Sequence, residues 1–360
     1  MDEGSLCRGS FFVAKRVQMW YIALIPFMEA QTMLRDEVLM ILKQQESDLS
    51  GEEISRRLGV TRMAVSNAVK ALRKEGYVID SATNRGYRLR QSPDKLSAGD
   101  LFAHLPVSRQ STVRCFDLID STNSYLKREA VNGAPNGLVA VANEQTAGRG
   151  RAGRPFFSAA DCGIYLSILL RPHCAPQKTM TLTAHAAVAV CEAISHTCGV
   201  ETEIKWTNDV VLNGRKLCGI LTEITLEGES GLVDSVVIGI GVNVNYKPND
   251  FPEELRTVAG SIFSETGVCV DRARLAAEMI LALDRMSEAW EQDPRAYLEA
   301  YRNRCSTTGK EVRVIRGDTV RDAFALEITD DFALRVRYDD GTEEVLNSGE
   351  VSVRGLYGYQ

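Results

Sequence analysis

Between residues 50 and 90 the chain is punctuated so closely that a short helical unit with a hairpin behind it is the arrangement that satisfies every signal. "SGEE" at 50–53 opens a helix, with Ser50 and Glu53 each able to satisfy a free backbone N–H in a capping box. "LGV" at 58–60 closes it, because Gly59 accepts the sharp turn. Thr61 then caps a further helix, in which Val65, Ala68, Val69 and Leu72 keep the spacing of a buried stripe. Upstream, Leu34, Val38, Ile41 and Leu42 share one helical face. Downstream, "YVID" and "YRLR" alternate like strands around "SATNRG". This spacing predicts a winged helix-turn-helix over residues 33–90. Arg62, Ser66, Asn67, Lys70 and Arg73 face outward, and Arg85 stands at the tip of the wing. These residue types donate to phosphates and base edges, so they are the candidate DNA contacts.

Charge supports that position. The whole chain carries a formal −6, which excludes a protein coated in nucleic acid, yet residues 58–90 hold seven basic side chains against two acidic ones. An exposed basic helix without a partner, or a three-helix protein-binding module, is the alternative. Nine cysteines without a CxxC pair or a zinc-ligand spacing read as reduced thiols, and hence as a cytoplasmic protein. The apolar run "MWYIALIPFM" at 19–28 is too short to span a membrane and contains Pro26, so no anchor is expected. Residues 1–32 read as an N-terminal extension expected to be poorly ordered.

"QSPDKLSAGD" at 91–100 is polar and reads as a linker. Residues 101–304 mix strand runs such as "VRCFDLI", "GIYLSILL" and "LVDSVVIGIGV" with helical patterns near 178–195, 271–290 and 295–304. Asn213-Gly214 marks a tight hairpin, and strands that follow one another directly predict an α+β domain with a mainly antiparallel mixed sheet. Residues 305–360 carry short strands alone and predict a small, SH3-like β-barrel, so the chain is multidomain.

"GRGRAGRPFF" at 148–157 is the candidate ligand loop. Gly148, Gly150 and Gly153 let backbone approach a ligand, while Arg149, Arg151 and Arg154 supply permanently charged forked donors for an anion, phosphate first. It is neither a Walker loop nor a dinucleotide turn. An exposed basic linker is the plainer reading of such a run taken alone. "DSTN" at 120–123 sits where a strand ends and a helix begins, a position that also suits ordinary caps. "KWTND" at 205–209, "KLCGIL" at 216–221 and "GIGVNVN" at 239–245 add lysines and asparagines at strand ends.

In this order and spacing the motifs resemble the biotin-protein ligases, in particular the bifunctional kind that also represses the biotin operon. The resemblance covers residues 33–360. It implies activation of biotin by ATP and Mg2+ to biotinyl-5'-AMP, with transfer to a lysine of a biotin carboxyl carrier protein of acetyl-CoA carboxylase. It also implies operator DNA as a second partner, the adenylate as corepressor, and a ligand-promoted homodimer. Ser121, Thr122, Gln145, Gly148, Arg149, Arg151 and Lys205 match biotin-holding positions. Arg149, Arg151, Arg154, Phe156, Asn208, Lys216 and Asn243 match the ATP or adenylate side. Lys205, Arg149 and Arg151 carry the catalytic charge, and no protein metal ligand is assigned. Two positions depart from the family pattern: Thr207 replaces a proline, and Phe156 or Phe157 replaces a tryptophan that stacks on adenine. A winged-helix sensor without catalysis and a lipoate-type ligase are the competing readings.

Overall fold

The computed structural model describes residues 33–45, 47–82, 85–293, 295–347 and 352–355. The extension 1–32 lies outside them. The chain divides into two units, one holding residues up to 93 together with 98–103, the other holding 94–97 and 104 onward.

In the first unit, helix α1 (residues 33–43), α2 (Gly51–Leu58) and α3 (Arg62–Lys74) precede the antiparallel hairpin β1 (Val78–Ala82) and β2 (Gly86–Gln91). Their apolar stripes meet in one core of Val38, Leu42, Ile54, Val65, Val69, Leu72 and Ile79. Thr61 caps α3 through the Ala64 N–H, and Gly59 takes the left-handed turn at φ 66°. Only half of the predicted capping box forms: Ser50 accepts from the Glu53 N–H, but the Glu53 carboxylate turns to Arg56 and Arg57. Two nearby cations outbid one backbone N–H. The stretch read as linker is partly folded, since its residues 98–100 open helix α4 (Ala98–Phe102). Buried Asp100 accepts from Tyr77 Oη and pairs with Lys43 Nζ at 2.6 Å.

The second unit continues with α5 (Val107–Gln110), β3 (Val113–Ile119), α6 (Thr122–Val131), β4 (Val139–Gln145), β5 (Gly163–Leu170) and α7 (Leu182–Cys198). Strands β6 (Glu203–Lys205), β7 (Asp209–Leu212), β8 (Arg215–Leu226) and β9 (Val233–Asn243) follow, then α8 (Ile262–Thr266), α9 (Arg272–Gln292) and α10 (Leu298–Arg304). The seven strands form one sheet in the order β3-β4-β5-β9-β8-β7-β6, and β3 with β4 is its parallel pair. The mixed, mainly antiparallel sheet is therefore as expected. Asn213 and Gly214 both have positive φ, 51° and 74°, as the two-residue β7–β8 hairpin requires.

Register determines which side chains share a face. Ser167 pairs with Gly239, Leu221 with Gly239, Glu223 with Val237, and Gly219 with Gly241, so these residues project on one side of the sheet. Helix α6 packs on that side through Leu126 and Ala130 against Ala140, Leu169 and Val237. Ile164, Leu166, Ile220, Ile238, Ile240 and Val242 alternate to the other side and are buried, while α7 and α9 contact each other and strands β5, β7 and β8.

Beyond α10 lie β10 (Glu311–Arg316), β11 (Thr319–Ile328), β12 (Leu334–Tyr338), β13 (Glu343–Leu346) and β14 (Ser352–Gly355). They form an antiparallel sheet in the order β13-β12-β11-β10-β14, and among the described residues its two edges do not pair into a closed barrel.

His185 on α7 is fully buried between the rings of Tyr297 and Phe332, with Nδ1 on the Thr181 carbonyl and Nε2 without a hydrogen-bond partner among the described residues. Burial lowers its pKa to about 4, so the folded unit keeps it neutral. The unfolded chain binds the proton first, so this stability is complete above pH 6.5 and drains as pH falls toward 4. The loss should reach about 2 kcal/mol at pH 5 and vanish in His185→Phe, as read from urea unfolding at pH 7 and pH 5.

Candidate active site

Three loops and the glycine-bearing face of the sheet build the site. After β3 the chain turns into α6 with Ser121 as N-cap, its hydroxyl toward the Ser124 N–H, and Ser121, Thr122 and Asn123 are all buried. Gln145, the last residue of β4, reaches across to them: its Oε1 accepts from Thr122 N–H at 2.9 Å, and its Nε2 donates to Ser158 Oγ at 3.0 Å. That cross-link holds the arginine loop's entry and exit against the "DSTN" turn.

The arginine loop itself is tightly drawn. Phe156 N–H donates to the Gly148 carbonyl at 2.9 Å, Gly150 N–H to the Arg154 carbonyl at 2.7 Å, and a short 3-10 turn runs from Arg151 to Gly153. A Cβ on Gly148 would stand 2.5 Å from both Phe156 O and Ser158 Oγ, so the position admits no side chain. Arg149 is half exposed and points toward Glu223, with 3.9 Å between Nη1 and Oε1. Arg151 donates to Asn208 Oδ1 at 3.0 Å, tying the loop to "KWTND". Arg154 lies exposed at the loop's rim.

Lys205 ends β6 and is 6% exposed. The backbone after it is fixed from outside the seven-stranded sheet: Trp206 N–H donates to Thr307 Oγ1 at 2.9 Å, Trp206 Nε1 to the Phe332 carbonyl at 3.0 Å, and Tyr301 Oη to the Thr207 carbonyl at 3.2 Å. Trp206 is thus a buried anchor between β6 and the segments that hold Thr307 and Phe332. Thr207, where the family pattern has proline, is buried and follows a cis peptide bond, and its Oγ1 makes no hydrogen bond among the described residues. Lys216 pairs with Asp209 Oδ1 at 2.6 Å, joining the two lysine motifs.

Phe156, rather than Phe157, lies over the sheet. Cβ atoms on the cross-strand pair Gly219 and Gly241 would meet its ring at 3.2 and 2.4 Å, so the absence of side chains there makes a flat floor for an aromatic group. Phe157 packs instead against Tyr246. Asn243 spends its amide on carbonyls, at 3.0 Å from Gly260 and 3.4 Å from Lys216, pinning the chain beside the floor.

Two residues absent from the sequence reading complete this side. Ser167 contacts Thr122 and Asn123, and Glu223 accepts from Asn123 Nδ2 and pairs with Lys127. Nothing in "GIYLSILL" or "LTEIT" distinguished them. The period-two register that turns them toward "DSTN" was the available signal. Among the described residues no group of three or more His, Cys, Asp or Glu side chains could hold a metal ion, and no helix is long and apolar enough to cross a membrane.

In the first unit Arg62, Asn67, Lys70 and Arg85 are exposed and Ser66 is half-buried. Arg73 is also exposed, but its guanidinium donates to the Ile79 carbonyl from Nε at 2.9 Å and Nη2 at 2.5 Å, so it splints α3 to the wing.

The chain is similar to known proteins over most of its length. A sequence model of the biotin/lipoate A/B protein ligase family matches residues 115–243, a helix-turn-helix domain model matches 35–88, and a biotin protein ligase C-terminal domain model matches 307–354. The bifunctional ligase/repressor BirA of Bacillus subtilis is 40% identical over 254 residues, covering 70% of this chain and 78% of that protein. BirA of Escherichia coli is 30% identical over 306 residues, covering 85% of this chain and 92% of its own. The structure of a biotin protein ligase from Aquifex aeolicus, in complex with biotin and ATP, matches at TM-score 0.58 and 24% identity. It covers 68% of this chain and 98% of that one, and it supports the fold. The chain belongs to the biotin/lipoate A/B protein ligase family. Within that family it stands with the bifunctional biotin ligase/repressors, whose helix-turn-helix, ligase and C-terminal segments it carries in order.

Proposed function

We propose that the protein joins biotin to ATP and passes the biotinyl group to a carrier lysine, and that the resulting adenylate also controls its binding to DNA. In the first step the biotin carboxylate attacks the α-phosphorus of ATP, and pyrophosphate leaves. In the second, the lysine amine attacks the acyl carbonyl, and AMP leaves with the amine proton lost to solvent. Both partners of the first step are anions. Arg149, Arg151 and Lys205 offset their repulsion and meet the charge that develops on phosphoryl oxygen. Ser121, Thr122, Gln145 and Gly148 line the biotin side. Phe156 and the Gly219–Gly241 floor suit adenine, with Asn208, Lys216, Asn243 and the rim residue Arg154 on the nucleotide side. Mg2+ enters with ATP, its phosphates supplying much of the coordination. The acceptor is the carboxyl carrier protein of acetyl-CoA carboxylase.

One observation carries this reading: Arg151 is bonded to Asn208, three residues beyond buried Lys205, while Gln145 is bonded to Thr122, so the loop's cations and the "DSTN" turn converge on one face. The test is biotin-dependent ATP–pyrophosphate exchange followed by transfer to a carrier domain. Exchange with lipoate in place of biotin would change the substrate, and no exchange with either would leave a non-catalytic sensor.

Arg62, Ser66, Asn67, Lys70 and Arg85 are the DNA-facing set, with Arg73 bracing the wing. The adenylate acts as corepressor by favouring a homodimer that presents two wings to a two-fold operator. The protein works in the cytoplasm, and its C-terminal sheet is a small SH3-like barrel. Gel-shift affinity for the operator should rise on adding biotin with ATP, alongside the dimer fraction in sedimentation. Constant affinity would remove the repressor role and leave the ligase.

A further inference from the structure

Ser167 and Glu223 bear on the Thr122 hydroxyl, which meets substrate on the reading above in which Thr122 lines the biotin side. Ser167 Oγ lies 2.6 Å from Asn123 Oδ1 and 2.7 Å from Thr122 Oγ1, and all three residues are buried. Each contact needs a proton, and a serine hydroxyl has one. Asn123 Oδ1 is a carbonyl oxygen with no proton to give. The Ser167 proton therefore goes to Asn123, and the Thr122 proton goes to Ser167 Oγ. The 3.2 Å contact from Thr122 Oγ1 to Gln145 Oε1 is the weakest claim on that proton, and Gln145 Oε1 is already served by the Thr122 N–H at 2.9 Å. Thr122 Oγ1 is left offering lone pairs to whatever lies over it.

The direction of this chain is set one residue further out. Asn123 presents Oδ1 to Ser167 because its Nδ2 is claimed on the opposite side by Glu223 Oε2 at 3.0 Å and the Leu221 carbonyl at 3.5 Å. The other Glu223 oxygen takes Lys127 Nζ at 3.0 Å and faces Arg149 at 3.9 Å. Burial opposes the Glu223 charge, but the Asn123 amide and the Lys127 ammonium outweigh it and hold the carboxyl below its usual range. An ionised carboxylate can only accept. We propose that Glu223 is a positioning residue that fixes the hydrogen-bond polarity of the pocket: acting through Asn123 and Ser167, it makes Thr122 an acceptor and so selects a substrate that brings N–H groups, as a cyclic urea does.

Glu223→Gln keeps the shape and reverses the sense. Lys127 and Arg149 draw the new amide oxygen, its NH2 faces Asn123, and Asn123 must turn. Asn123 then donates to Ser167 and Ser167 donates to Thr122, which takes up a Thr122 lone pair and turns its proton away from Ser167, toward Gln145 Oε1 or the substrate N–H. Isothermal titration with biotin should show Kd rising roughly tenfold or more, the consequence of a buried donor set against a donor. The KM for ATP in the exchange assay should change less than the biotin Kd, because the relay ends on the biotin side and Glu223 reaches the nucleotide side only through its 3.9 Å contact with Arg149. Thr122→Val removes the end of the relay, and in that background Glu223→Gln should cost nothing further. A purely structural Glu223 would impose its full penalty in both backgrounds. An unchanged biotin Kd in folded Glu223→Gln, or an undiminished penalty beside Thr122→Val, overturns the proposal. Wild-type protein that binds no biotin overturns the functional reading and this inference with it.

Discussion

Alanine at position 205 is expected to slow biotin-dependent ATP–pyrophosphate exchange by about two to three orders of magnitude, the usual consequence of removing one fixed donor to a developing oxyanion. The expectation comes from where the ammonium is held. Lys205 is 6% exposed, and in a site shielded from water a charge acts through a lower dielectric than at the surface. Its position is inherited from the backbone, since Thr307, Phe332 and Tyr301 fix residues 206 and 207 beside it. On the proposed role of Lys205 the loss should appear mainly in kcat, because an interaction with the α-phosphate would strengthen as that group gains charge. Lys205→Arg should restore little, as a planar fork cannot replace a compact point charge in so confined a place. An exchange rate within about threefold of wild type, with thermal unfolding unchanged, would take Lys205 out of the chemistry.

The motifs made the site legible because each is local. Glycine turns, strand ends and a cap can be read within a few residues, and the positive φ at Asn213 and Gly214 follows from the dipeptide alone. What escaped the sequence depends on register or on distant partners. Ser167 stands in a strand buried along its whole length, and only pairing with Gly239 turns it toward Thr122. The partner of Trp206 could not be read from "KWTND" either: its indole donates to the Phe332 carbonyl, 126 residues away. Arg73 faces outward by helical spacing but is long enough to turn back to a carbonyl of the wing. Helix α4 was missed for a similar reason: five residues have little propensity of their own, and buried Asp100 holds them through Tyr77 and Lys43.

The same dependence on a distant partner gives the largest expected loss of stability. Arg272, at the first turn of α9, is fully buried, and its guanidinium serves four acceptors. Nε donates to Asp94 Oδ2 at 2.8 Å, Nη2 to the Asp94 carbonyl at 2.9 Å, and Nη1 to Asn143 Oδ1 at 2.9 Å and the Gly163 carbonyl at 3.0 Å. Asp94 also accepts from the Arg272 N–H and from Asn245, so the segment 94–97 is fastened to the start of α9 through its carboxylate, and to β4 and β5 through the Arg272 guanidinium. Removing the cation leaves that carboxylate short of its partner, two carbonyls unpaired and a cavity where the side chain lay. Arg272→Ala should therefore destabilise this unit by about 3 to 5 kcal/mol in urea unfolding. Arg272→Lys keeps the charge but cannot divide it among four acceptors, and should recover only part of the loss. If Arg272→Ala lost less than about 1 kcal/mol, the cluster would amount to little more than a surface ion pair, and the anchoring of residues 94–97 would have to come from their own packing.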